Sequence, residues 1–194
     1  MIKTSQGLAT KSIHTKSGVP ITEPWSSSMY FNASMENRVR FLTDYFKEVR
    51  VDGIRKFIND LTLDDPTVDL FISLEYDNKK KYISNNLSKR IRLVNWKEYK
   101  LTSEEFDLYE GFGKIALIKD VAVNDTILYT IDALLNKNKC ASNAVFFIVT
   151  SKYLVHFGAS GDVINILSTD SINIKNLKMN YKGIFDTFYD EPLS

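Results

Sequence analysis

"AVFFIVTSKYLVHFGASGDVINIL", residues 144–167, is the stretch on which the fold turns. Three short runs, "AVFFIV" at 144–149, "YLVHF" at 153–157 and "VINIL" at 163–167, are rich in β-branched and aromatic residues. That composition suits strands. "TSK" and "GASGD" separate them and serve as turns. Alternation puts Tyr153, Val155 and Phe157 on one face of the middle strand and Leu154 and His156 on the other. Val155, Phe157, Ile164 and Ile166 are therefore candidate core residues. The reading is an antiparallel meander of three strands. "DSINIKNLKMNYKGIFDTFYD", 170–190, follows as a closing helix or two short ones. Gly183 weakens a continuous helix there by about 1 kcal/mol relative to Ala.

Working back toward the N-terminus, "TILYTIDALLNKNK", 126–139, has Ile127, Ile131, Leu134 and Leu135 at helical spacing. Asn124 or Asp125 is its candidate cap, and Lys137 and Lys139 suit its C-terminal end. "GKIALIKDVAV", 113–123, and "VDLFISLEY", 68–76, read as strands, with "DNKKK" as the turn after the second. Residues 81–100 satisfy both a helical stripe through Tyr82, Leu87 and Ile91 and a strand-like alternation in "RIRLVNW". Further back, Val39, Leu42, Phe46 and Val49 follow a helical stripe behind a possible Ser34 cap with Glu36 in its first turn. Asp52 is a candidate cap for a second helix with Ile54, Phe57, Ile58 and Leu61 inward. "DDP", 64–66, ends that region. Residues 1–28 are rich in Ser and Thr and poor in long apolar side chains, which predicts a polar N-terminal arm. The expectation is one α+β domain over 29–194, with a mainly antiparallel sheet, helices on one face, and a C-terminal meander followed by a helix.

The totals narrow the function classes. The chain has 194 residues, 44% of them hydrophobic, with 12 Phe and 10 Tyr. A chain this long buries roughly 70% of its unfolded surface and needs neither disulfide nor metal to fold. The net charge of +1 gives no bulk attraction to nucleic acid or to an anionic membrane. A single cysteine, Cys140, rules out an intrachain disulfide and makes a reducing cytoplasm the expected location. No apolar run reaches the roughly 20 residues of a membrane span. The first residues lack an apolar signal-type core, so no secretory signal is expected.

No motif fixes a reaction. "GLATKS", 7–12, lacks the second glycine and the preceding strand of a phosphate-binding loop. Asp69, Asp77 and Lys79 have the residue types of a metal-dependent nuclease. On one extended strand, however, Asp69 and Asp77 lie roughly 26 Å apart, too far to share an ion. His14, His156 and Cys140 show no metal-ligand spacing. Cys140 follows a predicted helix, whose dipole disfavours a thiolate. His156 and Asp162 lie within cross-strand reach, but no nucleophile accompanies them. No catalytic residue, metal or cofactor is expected.

The strongest local signal is charge. Lys79, Lys80, Lys81, Lys89, Arg90, Arg92, Lys97 and Lys100 stand against a single acid, Glu98, with Tyr82, Trp96 and Tyr99 interleaved. Acids flank this block: Asp60, Asp64, Asp65 and Asp69 before it, and Glu104, Glu105, Asp107 and Glu110 after it. Either the flanks neutralise the block internally or it meets an external partner. An acidic protein surface is favoured and a nucleic acid is second. Lys79, Lys80, Lys81, Lys89, Arg90, Arg92, Trp96, Lys97 and Tyr99 are the candidate partner-binding residues.

The last third also resembles the C-terminal part of a bacterial domain family of unknown function. Members of that family end with a helix, an apolar strand, a strand running into an acidic glycine turn, and a closing aromatic helix. The counterparts are "AVFFIV", "YLVHFGASGDVINI" and "NYKGIFDTFY", with Gly158 or Gly161, Asp162, Tyr181, Phe185 and Phe188 as matching residues. The acidic-arginine part of that turn is missing here. The overall style is also similar to bacterial toxin-immunity proteins, and this implies binding rather than catalysis. The functional expectation is a non-catalytic protein-binding module, such as an immunity protein or inhibitor. The alternatives are a structural subunit of a phage or other assembly using its N-terminal arm, and a metal-dependent nuclease. The expected partner is another protein, a toxin or a neighbouring subunit, with no membrane involved.

Overall fold

The computed structural model describes residues 4–5, 15–21, 28–75, 91, 95–100, 112–135, 146–157 and 163–187. Among them runs a sheet of eight strands in the order β1-β4-β5-β3-β6-β7-β8-β2. The strands are β1 (Thr4–Ser5), β2 (Arg38–Leu42), β3 (Thr67–Glu75), β4 (Asn95–Lys100), β5 (Phe112–Ala122), β6 (Phe146–Val149), β7 (Leu154–Phe157) and β8 (Val163–Leu167). All pairings are antiparallel except β1 with β4. The helices are α1 (Ser28–Asn32), α2 (Thr43–Leu61), α3 (Val123–Leu135) and α4 (Ser171–Asn180). The fold is α+β, and the C-terminal meander β6-β7-β8 runs into α4.

The central strands are buried on both faces, which is why their sequences read as unbroken apolar runs. One face carries Val39, Phe41, Leu70, Ile72, Ile118, Phe146, Ile148, Val155, Phe157, Ile164 and Ile166. Helices α2, α3 and α4 cover it with Phe46, Phe57, Ile58, Ile127, Ile131, Ile174 and Leu177. Phe41 stands edge-on to Phe57 at 5.2 Å and to Tyr181 at 5.6 Å, and Phe146 stacks on Phe157 at 4.1 Å. The opposite face presents Phe71, Leu117, Phe147, Val149, Leu154 and Leu167. There the N-terminal segment is the cover: Ile21, only 1% exposed, and Met29 and Tyr30 of α1 pack onto it. Residues 15–21 are tied down by Lys16 Nζ, which donates to Thr67 O at 2.8 Å. Gly18 makes the turn that brings them there, at φ +77, where a side chain would be strained.

Two expectations need correction. Val39 and Leu42 belong to a strand, not a helical stripe. Arg38, Val39, Arg40 and Phe41 alternate with period two, and the helix starts only at Thr43. Ser34 precedes a short 3-10 turn, Met35–Asn37, and its side chain makes no cap bond. The second-helix boundary near Asp52 does have a physical counterpart. α2 breaks at Arg50, whose φ of 53 and ψ of −145 are not helical. In the ambiguous region, β4 occupies 95–100 and Ile91 is buried. Asn124 and Asp125 fall inside the first turn of α3, because the helix starts at Val123. Gly183, at φ +82, lies beyond the end of α4, where the chain reverses and Phe185 bridges to Phe41 of β2.

Candidate functional site: a basic strand and a buried polar row

Of the predicted partner-binding residues, Trp96, Lys97 and Tyr99 lie on β4. Lys79, Lys80, Lys81, Lys89, Arg90 and Arg92 lie outside the described residues. β4 pairs along its whole length with β5, with Trp96 opposite Ile118, Lys97 opposite Leu117 and Tyr99 opposite Ile115. On its other side β1 reaches only Glu98 and Tyr99. Among the described residues, then, the strand that ends the basic block lies one strand in from the end of the sheet, and Lys97 is exposed there.

A bulge in β5 sets the position of β4. Val68 pairs with Val121 and Leu70 with Ile118, so β5 carries one extra residue opposite Asp69. Asp120 takes φ 57 at this point. The bulge keeps both Ile118 and Val121 in the helix-side core although they are an odd number of residues apart. Asp69 Oδ1 accepts the Asp120 N–H at 3.2 Å, and Asn95 Nδ2 at the start of β4 donates to Asp120 Oδ2 at 3.1 Å. Asp69, the first carboxylate of the nuclease reading, therefore serves the bulge. Its expected companions Asp77 and Lys79 lie outside the described residues. Among the described residues no group of three or more His, Cys, Asp or Glu side chains is arranged to hold a metal ion.

The acidic flank before the basic block is engaged elsewhere. Asp60 accepts from Lys56 at 2.6 Å and from the Tyr181 hydroxyl at 2.6 Å. Together with burial, that second bond drives the Tyr181 phenol far above its ordinary range. Asp64 accepts from Lys152, and this bond raises the Lys152 pKa. Asp65 accepts the backbone and hydroxyl of Ser151, each at 2.9 Å, and pairs with Lys16 at 3.6 Å. With Asp69 in the bulge, all four acids serve α2, the β6–β7 turn, the N-terminal segment and β5. Glu104, Glu105, Asp107 and Glu110 of the other flank lie outside the described residues.

Sequence reasoning missed a second arrangement. On the sheet face under the N-terminal segment, each of β2, β8 and β7 places polar side chains among apolar neighbours. Arg38, Arg40, Asn165 and His156 are all buried, His156 to 5% exposure. The register aligns them: Arg40 is opposite Asn165, and Asn165 is opposite His156. Arg40 Nε donates to Asn165 Oδ1 at 2.7 Å, and Asn165 Nδ2 faces His156 Nδ1 at 3.4 Å. With its oxygen fixed by Arg40, the Asn165 amide presents N–H groups to the imidazole. Nδ1 is then the acceptor, and the ring proton sits on Nε2, which is buried with no hydrogen-bond partner among the described residues. The ring stacks on Phe147 at 4.6 Å. Tyr30 closes the row: the Arg40 guanidinium lies 4.4 Å from its ring centre and that of Arg38 4.8 Å, with Arg38 Nη1 donating to Tyr30 O at 3.0 Å.

Burial, then the neighbouring Arg40 charge, pushes the His156 pKa down to about 4. The imidazole is neutral at physiological pH and its basic nitrogen faces Asn165. The group is placed for packing and hydrogen bonding, not for accepting a substrate's proton. Across the strand from His156 stands Asn165; Asp162, like Cys140, His14, Gly158, Gly161 and Phe188, lies outside the described residues. A signal for this row was present in the sequence. Polar residues fall at one-face positions in "RVRFL" (Arg38 and Arg40), "VINIL" (Asn165) and "YLVHF" (His156), and three such strands side by side align these exceptions. No helix among the described residues is long and apolar enough to cross a membrane. Comparison with known proteins finds no matching family model, no matching curated protein and no matching solved structure.

Proposed function

We propose that this chain is a non-catalytic protein-binding module whose contact face is the basic and aromatic block at residues 79–100. One observation carries the reading: Asp60, Asp64, Asp65 and Asp69 are bonded to α2, β5, the β6–β7 turn and the N-terminal segment. Each of those acids has a partner in its own part of the fold, and the density of cations with interleaved aromatics at 79–100 suits an acidic partner. The position of β4 supports the same reading, since β1 pairs with it only at Glu98 and Tyr99 among the described residues, and exposed Lys97 lies beside that short pairing. The partner's class is an acidic protein surface, such as that of an enzyme or toxin held inactive by an immunity-type inhibitor.

The test is affinity capture from the native host at physiological salt. One bait is the full chain, and the other carries K79E, K80E, K81E and K97E together. A protein captured by the first and lost by the second, with matching circular dichroism, supports the proposal. Capture of no protein, or equal capture by both baits, overturns it. Capture of nucleic acid alone overturns it in favour of the nucleic-acid alternative.

A further inference from the structure

α4 carries apolar side chains where a solvent-facing helix ordinarily carries polar ones. Its buried stripe is Ile174 and Leu177, continued by Tyr181 just beyond its end. Residues seven apart lie within about 20° of each other around a helix. Ile172 and Met179 are such a pair, and their direction is nearly opposite that buried stripe. They are 62% and 66% exposed. Asp170 fixes the first of them in place, its carboxylate accepting the Ile172 N–H at 2.9 Å. On this three-turn helix the two side chains form a short apolar ridge, about 10 Å long at 1.5 Å per residue.

The flanks of the ridge differ. Lys175 and Lys178 lie on one side of the helix, with Lys182 just past its end, while Asn176 and Asn180 lie on the other next to Asn173, whose amide donates to Ser168 Oγ at 3.1 Å. Residues 171–185 contain no acid. Lys175 and Lys182 are exposed, and Lys178 lies 5.7 Å from the Phe185 ring centre. A second copy of this face would bring no acid to meet the lysines. An anionic bilayer would find only two apolar side chains to insert and a row of asparagine amides to dehydrate. An amphipathic helix with acids along one edge of its apolar stripe meets all three features: carboxylates on exposed Lys175 and Lys182, apolar residues on the ridge, hydrogen bonds to the exposed amides of Asn176 and Asn180.

We propose that the outer face of α4 is a second docking surface, which takes an acidic amphipathic helix of a partner protein. It lies on the helix-covered side of the β2–β8 end of the sheet, while β4 lies toward the opposite end, so it does not rest on the reading given for β4. The test uses the isotope-labelled full chain and two synthetic helical peptides with identical leucine stripes, one flanked by glutamates and the other by lysines. The glutamate peptide is expected to shift the amide resonances of residues 171–183 and to bind at least about tenfold tighter than the lysine peptide. Met179→Asp, at an exposed position, is expected to weaken that binding by about tenfold or more without changing thermal stability. Ile172→Asp gives an independent repeat. Charge reversal in the β4 block is expected to leave the α4 shifts unchanged. Equal binding of the two peptides, shifts confined to other residues, or binding only to phosphatidylglycerol-containing vesicles would overturn the proposal.

Discussion

At the scale of single residues, His156 is the group whose chemistry changes most between sequence and structure. As a lone histidine near Asp162 it resembles half of a catalytic pair. In the fold it is a neutral ring between Phe147 and Asn165, with Arg40 close by and Arg38 on the same face of β2. Its folded pKa of about 4 lies below the unfolded value of 6.5. Between those values the unfolded chain binds the extra proton, so stability is fully present above about pH 6.5 and is lost as pH falls toward 4. The full shift corresponds to at most about 3 kcal/mol. Urea denaturation at pH 7 and pH 4.5 should show a loss of this order. His156→Leu should make the profile flatter through this window. Asn165→Leu removes the acceptor of Arg40 Nε and should cost about 1–3 kcal/mol. Combined with Arg40→Met, its cost should be clearly less than additive, because one substitution removes the partner that the other leaves unsatisfied.

Elements divide into those whose period is unambiguous and those where two periods compete. The meander at 146–167, the strands β3 and β5, and the helix α3 were legible because the strands are short apolar runs of β-branched and aromatic residues bounded by turns, and the helix carries one stripe at helical spacing. β2 was misread because Val39, Leu42, Phe46 and Val49 satisfy helical spacing across a strand–helix junction. The buried row of Arg38, Arg40, Asn165 and His156 was hidden for a related reason. Each polar residue looks solvent-facing in its own strand, and only the register β2-β8-β7 shows that all share a covered face. The break in α2 shows how one residue fixes an element's shape. A Cβ built on Gly53 would lie 2.0 Å from Val49 Cγ2, because the chain bends at Arg50. In an ordinary helix interior, Gly→Ala stabilises by about 1 kcal/mol. Here Gly53→Ala should instead destabilise, by about 1–3 kcal/mol, while Arg50→Gly should relieve strain and stabilise by about 1 kcal/mol. Chemical denaturation of both variants gives opposite signs if the bend is as described, and the ordinary helix signs if it is not.

For the whole molecule, the decisive feature is that the sheet is covered on both faces, by very different structures. Three helices shield one face, and a Ser/Thr-rich N-terminal segment with a single helical turn shields the other. Composition explains why the second cover was hard to foresee: residues 1–28 contain few large apolar side chains, and Ile21 has only Val19 and Pro20 as immediate apolar neighbours. Its burial to 1% exposure against the face of Phe71, Phe147 and Leu154 makes that one side chain structural. A segment lying loosely on the surface would tolerate Ile21→Ala with a change within about 0.5 kcal/mol, as surface substitutions do. A segment that completes the second core should lose about 2–5 kcal/mol. Tyr30→Ala should lose a comparable amount, since it removes a buried ring together with the cover over Arg38 and Arg40. Dye binding separates these two cases. With the cover weakened, Phe71, Leu117, Phe147, Val149, Leu154 and Leu167 form a contiguous apolar surface of the kind that drives association. Ile21→Ala should therefore raise anilinonaphthalene-sulfonate fluorescence well below the denaturation midpoint. Lys16→Ala, which removes only the tie to Thr67 O and the ion pair with Asp65, should raise it less. If Ile21→Ala instead leaves both stability and dye binding unchanged, the N-terminal segment is no part of the core, and the second face of the sheet must be covered some other way.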